Sequence, residues 1–303
     1  EAVGVIDPAD LLVRCRFPAP GTAVTCALSG GADSTALVAL AANAGCVVTA
    51  HHVHHGLRDS ADHDAEVARR TAERLGVAFE VTHVEVDDGP NLEARARDAR
   101  RAVLGPDALT GHTADDQAET VLLALLRGAG ASGLAGIEPG HRHPILALRA
   151  RETRALCGRL GLAVADDPTN TDARFRRNRI RHEVLPLLDD IAERDVAMLL
   201  NRTADLLRAD DRLLDELARA IDPTAVDELV AAPAPLAARA LRRWLEHDGY
   251  PPDAAGVARV MAVATGEAAA CELAGGIRVE RRGNRLTRTT SVSSAIQLPI
   301  TAV

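Results

Sequence analysis

The sequence predicts an α/β protein, a doubly wound, mostly parallel sheet with a second, smaller α+β domain at its C-terminal end. Three observations carry that expectation. Short apolar runs alternate with amphipathic stretches through the first half of the 303-residue chain, which is the pattern of strands and crossover helices. The first run, AVTCALS (23–29), reads as a fully buried strand, as parallel sheets require. Beyond about residue 190 the alternation gives way to long helical periodicity and then to a hairpin signal.

In order, DSTALVALAANAG (33–45) is a helix closed by Gly45, and CVVTAHHVHH (46–55) is a second strand. SADHDAEVARRTAERLG (60–76) is a helix with Ser60 as N-cap and Gly76 as C-cap, residue types that suit those positions. VAFEVTHVEV (77–86) is a third strand and NLEARARDARRAVL (91–104) a helix capped by Asn91. DALTGH (107–112) is a fourth strand, ADDQAETVLLALLRG (114–128) a helix and HPILALR (143–149) a fifth strand. RDVAMLLNRTADLLRADDRLLDELARAI (194–221) keeps apolar residues at 3–4 spacing until Asp222–Pro223, so it is one long amphipathic helix. VAAPAPLAARALRRWLEHDGYPP (230–252) is a proline-bounded helical piece, and CELAGGIRVERRGNRLTR (271–288) a hairpin about Arg282-Gly283-Asn284. The expected division is a catalytic domain over 1–190, a linking helix over 191–221 and a smaller domain over 222–303.

Composition narrows the chemistry. Net charge is −8, so a nucleic-acid surface has to be a local patch. The chain has no lysine, and all of its 35 basic residues are arginine. Schiff-base lysine chemistry and a Walker-type phosphate lysine are thereby excluded. Cys15, Cys26, Cys46, Cys157 and Cys271 include no C-x-x-C pair, which argues against zinc or iron–sulfur ligation and for free thiols in a reducing compartment. No signal peptide or membrane-spanning run is evident, so a cytoplasmic location without membrane contact is expected.

Active sites of doubly wound folds lie beyond the carboxyl ends of the strands. Three polar stretches fall there: Ser29–Ser34, His52–Gly56 and Gly111–Glu119. In the first, SGGADS places two glycines between strand and helix. Backbone N–H groups at such a helix start bind phosphate, although an ordinary turn capped by Asp33 or Ser34 uses the same residues. In the second helical stretch of interest, His112, Asp115 or Asp116, and Glu119 share a face opposite Val121, Leu122 and Leu125. That face is either a solvated first turn or a metal and acid–base site. RGAGASGLAGI (127–137) is a glycine-rich loop suited to a lid or to backbone contact with substrate. Glu93 and Arg97, four apart, read alone as a surface salt bridge. Arg174, Arg176, Arg177, Arg179 and Arg181 crowd into eight residues, with nothing acidic inside the run until Glu183. Such a patch is either a solvated helix face or a site for phosphate or RNA.

SGGADS resembles the S-G-G-x-D-S loop of the PP-loop, or N-type ATP pyrophosphatase, superfamily. In order along the chain stand HVHHGLR (52–58), N-x-E-x-x-A-R-x-x-R (91–100), G-H-x-x-D-D-Q-A-E-T (111–120), R-G-x-G-x-x-G-L-x-G (127–136) and D-P-T-N…R-N-R-I-R (167–181). The set resembles the tRNA(Ile)-lysidine synthases closely over about residues 24–190 and more weakly beyond. Thiolation enzymes that share the loop would need paired cysteines. Glutamine-dependent synthetases share the loop without the GHxxDDQAET and RNRIR stretches, and a tRNA-binding module with a dead site would have an eroded loop.

The resemblance implies a PP-loop ATPase fold, of the adenine nucleotide alpha hydrolase-like kind. It implies ligation of free lysine to C2 of the wobble cytidine of a CAU-anticodon isoleucine tRNA, with ATP and Mg²⁺ consumed or required. Carried over by position, Ser29, Gly30, Gly31 and Ser34 hold the phosphates, and Asp33 sits there through magnesium. Arg97, His112, Asp115, Asp116 and Glu119 form the reacting centre, the backbone near His52 and Val53 receives adenine, and the five arginines of 174–181 contact tRNA phosphates. A homodimer is left open. The chain departs from the family pattern at His54, Arg101 and Thr113, positions that the sequence reading treats as tolerated variation away from the centre.

Overall fold

A computed structural model describes residues 7–54, 61–84, 92–165, 172–247 and 250–290. Its residues fall into two compact units, 1–208 and 209–303. The division lies inside the long helix, within the stretch 191–221 expected to link the two domains.

In the first unit, α1 (Pro8–Leu12) is capped by the Asp7 carboxylate, which accepts the Ala9 amide at 3.0 Å. Strands β1 (Ala23–Ala27), β2 (Val47–His54) and β3 (Ala78–His83) form a parallel sheet in the order β1-β2-β3. Helix α2 (Ala32–Asn43) follows β1, and every residue from Ser34 to Ala41 is buried. A helix apolar all round belongs inside a domain, and α2 packs between the sheet and α7 (Ala150–Arg159). Its core partners include Leu28, Leu109, Ile145, Leu148 and Leu156. Helices α3 (Ala61–Leu75) and α4 (Leu92–Leu104) complete the crossovers, and α5 (Ala114–Leu126) leads to the short α6 (Ala131–Leu134). A run of α8 (Arg176–Arg179), a π-turn (Ile180–Val184) and α9 (Leu185–Ala192) precedes α10 (Val196–Arg219).

Two expected strands differ. The fourth is a single parallel bridge, Leu109 against Cys26, with the Leu109 amide on Thr25 O at 2.8 Å and its carbonyl taking the Ala27 amide at 2.9 Å. Pairing ends there because the Thr110 amide is drawn to Arg142 O. The expected fifth strand, 143–149, is a series of turns: Leu146 N bonds His143 O, and Leu148 N bonds Ile145 O. Pro144 has no N–H to give a ladder, and Ile145 and Leu148 are fully buried as turn residues. The apolar run is core, but not strand. The helix that follows it, α7, has no counterpart in the sequence reading.

The second unit holds α11 (Val226–Ala231), α12 (Ala234–Leu245), α13 (Ala254–Thr265) and an antiparallel sheet of β4 (Ala270–Leu273), β5 (Ile277–Arg282) and β6 (Arg285–Thr290). The hairpin turns where expected, with Gly283 at φ +62°, a conformation that glycine adopts without penalty. Leu229, Leu241, Val260 and Val279 centre its core. All five cysteines are free thiols. Among the described residues no helix is long and apolar enough to cross a membrane.

Candidate active site

The loop after β1 is built to leave its backbone open. Gly31 caps α2 in extended conformation with no side-chain hydrogen bond to the first amides. Ser34 turns back instead, donating to Gly31 O at 2.9 Å, accepting the Ser29 amide at 3.1 Å and lying 3.0 Å from Ser29 Oγ. Asp33 also leaves the cap alone: its carboxylate takes the Thr153 hydroxyl of α7. Thus neither of the residues expected to cap an ordinary turn does so. Gly30 stands at φ +94°, with its carbonyl on the Ala165 amide at 2.9 Å.

Gly111 explains how a second chain segment reaches this loop. A Cβ there would stand 2.8 Å from the carbonyl carbon and oxygen of Asp33 and 2.9 Å from Ser34 N. Glycine lets the bridge segment press directly on the start of α2. His112 and α5 follow immediately, beyond the carboxyl end of the sheet.

Helix α5 starts at Thr113, whose amide and hydroxyl both donate to Asp116, at 2.8 and 3.0 Å. This corrects the reading of Thr113 as variation away from the expected centre, because it holds Asp116, one of the carboxylates expected there. His54 lies apart, 3.1 Å from Asp62. The carboxylates of α5 diverge. Asp115 faces α7, where it is bidentate to Arg149 at 2.8 and 3.0 Å and accepts the Ala150 amide at 2.7 Å. Burial works to raise its pKa, but Arg149 and that amide hold it below the usual carboxylate range. Glu119 is fully buried, 0% exposed, and lies between Arg177 Nε at 2.6 Å and Arg181 Nε at 2.5 Å. Arg181 also reaches Asp116 at 3.4 Å. Burial raises the Glu119 carboxyl, against the pull of Arg181 and Arg177. The face expected to be polar is therefore internal, and Leu125, expected on the apolar side, is more than half exposed.

The arginine run is correspondingly less uniform than its spacing implies. Arg177 and Arg181 point into the acidic cluster, Arg174 pairs with Asp172 at 2.6 Å, and Arg179 pairs with Glu183 at 2.8 Å. The run is balanced by Asp172 and Glu119 as well as by Glu183. Arg176 is exposed. Asp33 joins the same neighbourhood: burial lifts its carboxyl to about 6, with Thr153 opposing, Asp116 and Asp115 reinforcing and Arg181 opposing.

Of the other expected site residues, His52 is buried with Nδ1 2.8 Å from Leu28 O, and Val53 stands in register with Thr82 in the sheet. Arg97 lies on α4, but its side chain falls outside the described residues, as do 55–58 and 166–171. The glycine-rich loop ends under a clamp. Gln117 accepts Ile137 N at 2.6 Å and donates to Ile137 O at 3.2 Å, and buried Arg208 donates to the Ala135 and Ile137 carbonyls. Gly136, at φ +66°, lies against Gln117 with no room for a Cβ. Arg149, Thr153, His143 and Arg208 were not singled out from sequence. For the first two the signal was a helix start hidden in an apolar run.

Comparison with known proteins fits this geometry. A PP-loop domain matches residues 11–188, and a TilS substrate binding domain matches residues 225–287. A tRNA(Ile)-lysidine synthase from Nocardia farcinica is 45% identical over 250 residues, covering 77% of this chain and 79% of that protein. The chain belongs to the tRNA(Ile)-lysidine synthase family. Another member, from Mycolicibacterium paratuberculosis, is 46% identical over 235 residues, covering 72% of this chain and 73% of its own. Among solved structures, the U34-tRNA thiolase NcsA from Methanococcus maripaludis aligns with a TM-score of 0.54 at 16% identity, covering 66% of this chain and 78% of that one. That likeness is one of fold, and it agrees with the expected PP-loop architecture.

Proposed function

We propose that this chain is a tRNA(Ile)-lysidine synthase: a ligase that uses ATP to join the side-chain amine of lysine to C2 of the wobble cytidine in CAU-anticodon isoleucine tRNA, releasing AMP and pyrophosphate. The observation that carries the reading is the convergence at one end of the sheet. An uncapped α2 start, a half-buried carboxylate on it and an arginine–carboxylate cluster on α5 and 177–181 meet where Gly111 presses the two segments together.

In this reading Ser29, Gly30, Gly31 and Ser34 hold the phosphates through main-chain N–H groups and hydroxyls. Asp33 would hold Mg²⁺, which when bound offsets phosphate charge. The donor set fits such an ion: burial makes the Asp33 charge costly without a cation, and among the described residues no group of three His, Cys, Asp or Glu forms a protein cage. Magnesium characteristically takes one or two carboxylates and fills its shell with phosphate and water. Arg177 and Arg181, oriented by Glu119, present positive charge to the departing phosphate. Asp116, partly accessible and oriented by Thr113, receives the lysine ammonium. His112, next to Gly111, is placed to accept its proton. Asp115 serves the site through α7. Arg97 is retained as a centre residue by its motif, His52 and Val53 as the adenine edge, and Arg174, Arg176 and Arg179 as the outward tRNA contacts.

The test is ATP- and magnesium-dependent incorporation of radiolabelled lysine into CAU-anticodon isoleucine tRNA, with initiator and elongator methionine tRNAs as controls. Labelling of the isoleucine tRNA alone is expected. Pyrophosphate release without lysine transfer would discard the substrate assignment.

A further inference from the structure

Thr110 and His112, between Leu109 and α5, form a polar cluster with His143 of which the proposed function uses His112 alone. Thr110 Oγ1 lies 2.8 Å from Nδ1 of His112 and 2.7 Å from Nδ1 of His143, and the two nitrogens are 3.2 Å apart. The rings meet edge to face with centroids 4.8 Å apart. A hydroxyl has one proton to donate, so it cannot donate to both rings. Were it to donate to Arg142 O at 3.2 Å, which also takes the Thr110 amide at 2.8 Å, both rings would have to donate Nδ1–H to Thr110, and two protons would face each other across the 3.2 Å between the ring nitrogens. Both histidine contacts are satisfied when one imidazole donates Nδ1–H to Thr110 and Thr110 donates to the other. The two rings then hold opposite tautomers.

We propose that Thr110 and His143 are positioning residues that carry away the proton lost by the attacking lysine amine, from His112 through the Thr110 hydroxyl to His143. The proposal rests on the reading of His112 as part of the reacting centre. The protons balance as follows. The amine N–H bond breaks as Nε2–H forms on His112. His112 gives its Nδ1 proton to Thr110 Oγ1, which gives its own to Nδ1 of His143. His143 releases its Nε2 proton to water. Every group ends neutral with its tautomer reversed, and one proton has left the site. His143 suits the outer end of the path. Burial, His112, Arg142, Arg101 and His141 push it down to about 4, so it holds a transferred proton only briefly. His141 itself lies 3.9 Å from Asp107.

Two measurements test this. In the resting chain, ¹⁵N NMR of labelled histidine reads the tautomers without any reaction. His112 is expected as Nδ1–H and His143 as Nε2–H, with that pairing lost in Thr110→Val. The same tautomer on both rings overturns the proposal. In kinetics, lysine transfer and pyrophosphate release are followed separately. Thr110→Val and His143→Gln should each lower the ratio of transfer to pyrophosphate release about a hundredfold, the low side of what positioned proton transfer contributes, and Thr110→Ser should restore it. An unchanged ratio in Thr110→Val rejects the relay alone, and so does an equal loss of both steps, which marks a structural role. A wild-type chain that transfers no lysine rejects the proposed function and the relay with it.

Discussion

Gly111→Ala is the most direct probe of how the phosphate loop is held. The new methyl would meet Asp33 C and O at 2.8 Å and Ser34 N at 2.9 Å. All three are backbone atoms, so no rotamer change relieves the clash. Either the bridge segment or the start of α2 has to move by about half an ångström. Overpacking of this kind costs about 1–3 kcal/mol. That free energy has two places to appear. If the clash stays in the folded state, unfolding becomes easier by that amount. If α2 shifts, the amides proposed to bind phosphate lose their alignment, and at about 1.4 kcal/mol per decade the affinity for ATP falls by roughly 5- to 150-fold. Calorimetric titration with a non-hydrolysable ATP analogue, paired with denaturant unfolding of the same sample, reads both. Gly140→Ala is the control, because a Cβ there meets nothing within 4 Å. If Gly111→Ala matched wild type in both measurements, the close approach of the two segments would not be what sets the loop.

Three further outcomes are expected. Glu119→Gln leaves Arg177 and Arg181 facing each other without their buried counter-charge; because both guanidiniums are partly exposed, the loss should fall near the lower end of the buried-pair range, about 3 kcal/mol, while Asp172→Asn should leave the unfolding midpoint nearly unchanged. Asp33 has its folded pKa raised to about 6 from an ordinary value of 3.8, so its contribution to stability is present below the lower value and lost as pH rises through the upper one; Asp33→Asn should therefore match wild-type stability near the lower pH and exceed it at pH 7.5, and a wild-type advantage at neutral pH in ligand-free protein would contradict the burial argument. Arg176→Glu should weaken tRNA binding and flatten its salt dependence by at least one counterion's worth with ATP affinity retained, and an unaltered salt slope would remove Arg176 from the tRNA surface.

The parts of the fold that were legible are those whose physics is local. SGGADS announced a strand–turn–helix because glycines and an apolar run determine it within a few residues. The RRGNR turn was legible for the same reason. The 143–149 run misled because burial of Ile145, Leu146 and Leu148 makes a series of turns look like a core strand, and the bonds from Leu146 N to His143 O and from Leu148 N to Ile145 O tell them apart. The site was legible as a set of residues and less so as a set of partners. Asp115, Asp116 and Glu119 are neighbours in sequence, yet one faces α7, one is gripped by Thr113 and one is buried between two arginines some sixty positions away. Charge counting along the chain cannot reveal that Arg177 and Arg181 turn inward to Glu119, because their counter-charge lies on another helix.

The first turn of α7 has a further consequence. Through Thr153 it touches Asp33, and through Arg149 and the Ala150 amide it grips Asp115. The regions proposed for nucleotide and acceptor thus share one rigid reference, and errors in their placement are correlated rather than independent. Any ligand that shifts Asp33 then alters the fit at α5, and by thermodynamic reciprocity an acceptor bound at α5 alters nucleotide affinity by the same factor. On the proposed function, a single helical turn that grips both carboxylates through Arg149, Ala150 and Thr153 makes two binding events communicate.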